Sequence, residues 1–218
     1  YRIVAAPLLY LFRPGFSEKV RRFVENGGYF ILTYWSGVVD ENDCCVLGGT
    51  PGGLMDVMGL RSTEIDALYE GESNEMVSVD GGKTYTCEHL CQLVKPSTAR
   101  TLYQYGKDFY AGTPAATENV FGKGKAFYIC ADAEQAFYDD LYADIAAQAE
   151  VKRVFAQPIP EGIAVSVRED AENAYIFIQN YNAQPTAFSP DLEGAEVLLG
   201  EMDGEMKPFS TVILRKKK

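Results

Sequence analysis

The stretch Tyr29-Phe30-Ile31-Leu32-Thr33-Tyr34-Trp35 decides the predicted fold of the first part of the chain, because it is apolar and aromatic without alternation. A run of this kind is typical of a strand that is covered on both faces of a sheet. An apolar strand at residues 3–6 precedes it, followed by a helix that begins near Pro14-Gly15 and ends at Asn26-Gly27-Gly28. Strand, helix and strand with short connections predict a parallel, right-handed crossover.

Residues 36–59 read as a long loop that carries Asp40-Glu41-Asn42-Asp43 and several glycines. A loop of this length is more often functional or interfacial than idle. Strand-like pieces between residues 62 and 105 predict a hairpin inserted on an α/β core, and residues 114–130 predict a second hairpin. A helix over residues 134–149 closes the region, with Phe137, Leu141, Ile145 and Ala146 on one stripe.

The texture changes at residues 158–162, where the sequence reads Pro-Ile-Pro-Glu-Gly. Beyond this point short alternating strands are separated by turns, with no helical pattern. We therefore predict two domains, an α/β domain over residues 1–157 and a small antiparallel β-sandwich over residues 158–218.

Charge and hydropathy exclude two classes of partner. The 218 residues include 20 Lys and Arg against 31 Asp and Glu, a net charge of -11, and the only dense basic run is residues 215–218. A nucleic-acid-binding protein needs a cationic surface, so we expect no nucleic-acid partner. No apolar run approaches the roughly 20 residues that cross a bilayer, so we expect no membrane association. The start at Tyr1, without Met, suggests a piece of a longer polypeptide.

Five cysteines without regular spacing favour a reducing compartment over a disulfide framework. His89 is the only histidine, and strand alternation would place it on one face with Cys87 and Cys91. Three such ligands can hold a soft metal, but the spacing is not that of a zinc knuckle, so a structural role is favoured. A cysteine-dependent hydrolase would need His89 with Cys44, Cys45 or Cys130.

Trp35, the only tryptophan, lies at the end of a predicted central strand, at the edge where open α/β sheets carry their functional residues. It could stack on a sugar, anchor a subunit contact or cap the core. With 14 Tyr and 12 Phe in the chain, a carbohydrate-binding module stays open as an alternative.

Several motifs resemble the non-catalytic C-terminal half of family 42 glycoside hydrolases, the bacterial β-galactosidases. They are Phe23-Val24-Glu25-Asn26-Gly27-Gly28, Thr33-Tyr34-Trp35-Ser36-Gly37-Val38-Val39-Asp40-Glu41-Asn42-Asp43, Leu47-Gly48-Gly49, Asp108-Phe109-Tyr110-Ala111-Gly112-Thr113-Pro114-Ala115 and the run from Asn119 to Ile129. The resemblance implies a class I glutamine amidotransferase-like, flavodoxin-like α/β domain for trimer formation, followed by a small β-sandwich.

In that family a catalytic TIM barrel precedes these domains and holds the acid/base and nucleophile glutamates. The resemblance therefore implies the non-catalytic part of a cytoplasmic, homotrimeric β-galactosidase that hydrolyses terminal β-D-galactosides. We expect no catalytic residue, cofactor or metal site in these residues, an upstream barrel as a partner, and a galactoside bound mainly by that barrel. The candidate interface residues are Trp35, Asp40, Glu41 and Asn42.

Overall fold

The computed structural model describes residues 1–191 and 193–218, and the chain divides into the units Tyr1–Val151 and Lys152–Lys218. The division falls a few residues before the boundary at residues 157 and 158 predicted from the sequence. The elements of the first unit are β1 (Ile3–Ala6), α1 (Phe16–Glu25), β2 (Tyr29–Thr33), α2 (Met55–Met58), β3 (Leu60–Ala67), β4 (Asn74–Ser78), β5 (Thr84–Pro96), β6 (Arg100–Tyr105), β7 (Pro114–Phe121), β8 (Gly124–Ile129), β9 (Ala131–Ala133) and α3 (Gln135–Gln148).

A nine-stranded mixed sheet organises this unit, in the order β1-β2-β8-β7-β6-β4-β5-β3, with β9 paired to β5. The strands β1, β2 and β8 are parallel neighbours. The other pairs are antiparallel. The parallel pairing of β1 with β2 across α1 agrees with the strand, helix, strand pattern of the sequence.

The predicted flavodoxin-like, glutamine amidotransferase-like α/β fold is wrong. The chain is mostly β, with 42% strand and 13% helix, and its large sheet is mixed. A flavodoxin-like sheet needs a helix after nearly every strand. From β3 to β9 the strands instead pair with one another in antiparallel orientation, so the segments expected as an inserted hairpin extend the main sheet itself.

Burial explains the helices and the central strand of the first unit. Phe30, Ile31 and Leu32 of β2 are at most 1% exposed, as expected for a strand covered on both faces. The helix α1 buries Val20 and Val24. The helix α3 buries Phe137, Leu141 and Ile145 of the predicted stripe, and its fourth member, Ala146, is half-buried. In the described parts of the chain, no helix has the length and apolar character required to cross a bilayer.

The second unit contains a four-stranded antiparallel sheet and a two-stranded ribbon. Its strands are β10 (Ile163–Glu169), β11 (Asn173–Asn180), β12 (Thr186–Ala187), β13 (Ala195–Leu199), β14 (Glu205–Met206) and β15 (Thr211–Lys217), in the orders β10-β11-β15-β13 and β12-β14. Its core includes Ile178, Val212 and Leu214. Asn180 is buried, and its side-chain nitrogen donates to the carbonyls of Gln184, Met206 and Lys207. These hydrogen bonds attach the segments around residues 184 and 206–207 to the end of β11.

Candidate self-association surface

The candidate surface lies where the parallel strands β1 and β2 end. Because Ala5 pairs with Ile31 and Ala6 with Leu32, the residues after both strands emerge at the same edge of the sheet. The Tyr10 and Trp35 rings meet there edge to face, with centroids 6.0 Å apart. Two segments that are distant in sequence thus present aromatic groups side by side.

Buried partners hold the backbone at Trp35. The Trp35 amide donates to Oε1 of Gln92 at 2.9 Å, and the Tyr128 hydroxyl donates to the same oxygen at 2.9 Å. Gln92 is 0% exposed, and the next residue after Trp35, Ser36, accepts the Leu9 amide at 3.0 Å. Trp35 itself has a left-handed backbone, with φ 54°. Such strain persists only where surrounding contacts over-determine it, and these hydrogen bonds do so.

Three apolar side chains stand out from this rigid backbone. Leu8 is 50% exposed, Tyr10 41% and Trp35 45%, and we call these three residues the Trp35 patch. Exposed apolar groups that lie against one another, as the Tyr10 and Trp35 rings do, mark interaction surfaces more often than single ones. Tryptophan and tyrosine are also the residue types enriched in the buried centres of protein interfaces.

The three polar interface candidates lie on a tight turn in the same loop. Oδ1 of Asp40 accepts the amides of Asn42, at 2.9 Å, and Cys44, at 3.0 Å. The half-buried Asp40 therefore shapes the turn, a typical task of aspartate. Glu41 and Asn42 have exposed side chains. The structure gives Asp40 a structural role and leaves Glu41 and Asn42 free to meet a partner.

A histidine and a carboxylate lie near this edge, where β9 follows β8. Nδ1 of His89 is 3.0 Å from Oδ2 of Asp132, and the His89 side chain is 76% exposed. Burial, and then the charge of Asp132, raise the pKa of Tyr34 to about 12. Tyr34 therefore stays neutral at physiological pH, and Asp132 is the charge that faces both rings.

The predicted common face of Cys87, His89 and Cys91 is wrong. Cys87 and Cys91 are buried, whereas His89 points out because its backbone is left-handed, with φ 57°. The pairing of β5 with β9 shifts register between Glu88 and Cys91, and this bulge breaks the alternation on which the prediction depended. No group of three or more His, Cys, Asp or Glu in the described residues is arranged to hold a metal ion.

The geometry does not pair His89 with a cysteine nucleophile. Its imidazole contacts Asp132, while Cys44 and Cys45 lie exposed in the loop after β2. Cys130 is fully buried, and this burial raises the pKa of its thiol. A cysteine hydrolase needs its nucleophile within hydrogen-bond reach of its base, and in the described residues no hydrogen bond joins His89 to Cys44, Cys45 or Cys130.

Sequence reasoning found Trp35 but missed Leu8, Tyr10 and Gln92. The first two carried a usable signal, because they directly follow a strand predicted to be parallel to β2. Gln92 carried none, since 57 residues separate it from Trp35. Only the pairing of distant strands brings its side chain under the loop.

Comparison with known proteins assigns both units. Residues 1–152 match the β-galactosidase trimerisation domain of family 42 glycoside hydrolases, and residues 162–216 match the β-galactosidase C-terminal domain. The β-galactosidase Pbg of Clostridium perfringens is 39% identical over 227 residues, which cover 100% of this chain and 33% of that protein. The β-galactosidase BglY of Alicyclobacillus acidocaldarius is 40% identical, covering 92% of this chain and 30% of that protein.

Solved structures agree with this assignment. The β-galactosidase from Bacillus circulans sp. alkalophilus superposes with a TM-score of 0.86 at 36% identity, covering 99% of this chain and 33% of that one. That from Rahnella sp. R3 gives a TM-score of 0.85 at 37% identity, covering 100% and 32%. The chain thus spans about a third of the length of the relatives that it matches. By its sequence and its structure, this chain belongs to the family 42 glycoside hydrolases, of which it comprises the trimerisation and C-terminal domains.

Proposed function

We propose that these residues assemble a β-galactosidase that hydrolyses terminal β-D-galactosides, and that they do not themselves cleave the sugar. The matched domains and the names of the relatives support this proposal. A catalytic TIM barrel elsewhere in the protein binds the galactoside, and three copies form a closed homotrimer, as cyclic symmetry permits. All five cysteines are free, which supports a reducing compartment such as the cytoplasm.

The observation that carries the proposal is the Trp35 patch on its rigid backbone. An anchor that is already ordered before binding loses little conformational entropy on association. The hydrogen bonds from Trp35 to Gln92 and from Leu9 to Ser36 provide this order. The exposed side chains of Glu41 and Asn42, in the same loop, supply a polar rim for the contact.

The titration of the acidic residues supports placing catalysis in another part of the protein. A glycosidase needs one carboxylic acid whose pKa is raised, so that it holds a proton near neutral pH. In the described residues, each carboxyl group with a displaced pKa has it lowered, namely Asp56, Asp80, Asp140 and Asp170. Such groups are bases held ionised by their hydrogen bonds.

Analytical ultracentrifugation of the 218-residue chain tests the role of the Trp35 patch. We expect trimers for the wild type and a shift toward monomers for Trp35→Ala at the same concentration, because truncation of an interface tryptophan typically costs about 2 kcal/mol or more. The matched control is Tyr69→Ala, which removes an exposed aromatic ring from the turn between β3 and β4. Trimers of undiminished stability in Trp35→Ala would remove Trp35 from the interface.

A galactose titration separates this proposal from a carbohydrate-binding module. Trp35 is the only tryptophan, so its emission reports directly on the patch. We expect galactose and lactose to leave the Trp35 emission of the wild-type chain unchanged, because the patch contacts protein rather than sugar in the assembly. A saturable change in emission would favour sugar binding at Trp35 instead.

A further inference from the structure

Two buried cysteines of β5 lie unusually close together. The Sγ atoms of Cys87 and Cys91 are 4.0 Å apart, and both residues are 0% exposed. In a regular strand, residues four apart are separated by about 13 Å, too far for their sulfur atoms to meet. A local irregularity must therefore bring them together.

The bulge around His89 provides this irregularity. Cys87 pairs with Ala133 and Cys91 with Ala131, so a four-residue step on β5 faces a two-residue step on β9. Two residues of an extended strand span about 6.7 Å, so the shorter step on β9 draws the two ends of the longer step on β5 toward each other. A disulfide bond is about 2 Å long, so the two sulfur atoms, now 4.0 Å apart, need to approach each other by only about 2 Å to form one.

The surroundings make the two thiols chemically different. The contact with the Cys87 thiol lowers the pKa of Cys91, while burial acts in the opposite direction. The same contact, together with burial, raises the pKa of Cys87. The thiolate is the form that attacks an oxidant, so Cys91 is the nucleophile and Cys87 the thiol held beside it.

We propose that Cys87 and Cys91 are a reversible oxidation site that reacts with a hydroperoxide and closes to an intramolecular disulfide. The Cys91 thiolate attacks one peroxide oxygen and becomes a sulfenic acid, while the O–O bond breaks and the departing hydroxide takes the Cys87 proton to form water. The Cys87 thiolate then attacks the Cys91 sulfur, and the sulfenic hydroxyl leaves with a proton from solvent as a second water. With hydrogen peroxide, two thiols and one peroxide give one disulfide and two waters, counting the proton released when Cys91 ionises.

The position of the pair connects it to the Trp35 patch. Gln92 directly follows Cys91, and its side chain accepts the hydrogen bond from the Trp35 amide. Closing the sulfur atoms from 4.0 Å to a bond of about 2 Å displaces Cys91, the residue bonded to Gln92. The disulfide therefore changes the surroundings of the Trp35 ring, whether or not the chain is assembled.

Thiol counting on the full 218-residue chain tests the site. A Cys44→Ser/Cys45→Ser background removes the two exposed thiols and leaves the three buried ones, Cys87, Cys91 and Cys130. After treatment with hydrogen peroxide and alkylation in denaturant, we expect the labelled thiols to fall from three to one. A peptide containing residues 87 and 91 should lose two hydrogen atoms, and dithiothreitol should restore both thiols.

Trp35 fluorescence of the same samples tests the connection to the patch. We expect an emission shift that develops with the disulfide and reverses with dithiothreitol. Three labelled thiols after peroxide, or sulfinic acid without a disulfide, would overturn the oxidation site. A disulfide with unchanged Trp35 emission would overturn the connection through Gln92.

The matched control is Cys130→Ala in the same background, which removes the third buried thiol and should leave the disulfide intact. Cys87→Ala should abolish it, because this substitution removes one of the two sulfur atoms of the disulfide. A disulfide between Cys91 and Cys130 in the parent background would contradict the pairing. This result is read from the parent peptides and needs no core variant to fold.

Discussion

Replacing Gln92 tests how the core holds the Trp35 loop. In Gln92→Met, the shape is roughly kept, but the Trp35 amide and the Tyr128 hydroxyl lose their common acceptor. Each buried donor without a partner costs about 1–3 kcal/mol. Nε2 of Gln92 is itself buried and has no hydrogen-bond partner in the described structure. Removing this one nitrogen therefore recovers a similar amount of free energy and offsets one of the two lost donors. The net expected loss is about 1–3 kcal/mol of unfolding free energy.

Urea unfolding, monitored by circular dichroism, measures this loss. In thermal unfolding of a chain of this size, a loss of 1 kcal/mol lowers Tm by about 2–4 °C. The matched control is Gln104→Met, an exposed glutamine on β6 of the same sheet, which should change stability by less than about 0.5 kcal/mol.

A second substitution makes the reasoning refutable. Tyr128→Phe removes one of the two stranded donors, so in the Gln92→Met background it should cost less than in the wild type. Strictly additive losses, or a Gln92→Met variant as stable as the wild type, would show that the shared oxygen does not hold the loop.

Two further outcomes follow from local geometry. Gly37→Ala should lower the free energy of unfolding in urea by about 1–3 kcal/mol, since φ is 61° and the new Cβ would lie 2.7 Å from the Phe12 ring. The control is Gly15→Ala, with φ 77° and open space around it, which should lower this free energy by less. Equal losses in the two variants would contradict the steric argument. Hydrogen bonds from Lys83 and Tyr85 lower the pKa of Asp140 from 3.8 in the folded state. The ionised Asp140 therefore contributes its full stabilisation well above pH 3.8 and loses it as the pH falls through the folded pKa. The wild type should be more stable than Asp140→Asn at pH 7 and equally stable in acid. A difference in stability that persists in acid would refute this prediction.

Local patterns in the sequence predicted much of the chain. The apolar run of β2, the glycines that end α1 and the buried stripe of α3 each depend on residues close in sequence, and the structure confirms these elements. The motifs around Trp35 and Gly122 also identified the family before any coordinates. The motifs did not reveal the fold of the first unit, because the order of strands in a sheet depends on pairings between distant segments.

The site shows the same division. The sequence by itself determined that Trp35 follows a buried strand and begins a long loop, and thereby marked it as a surface candidate. Only the tertiary structure decided that Tyr10 lies against it, that Gln92 fixes its backbone and that His89 leaves the face of Cys87 and Cys91. The physical reason is that hydrogen bonds and bulges between strands depend on register, and register is set by the packing of the whole sheet rather than by neighbouring residues.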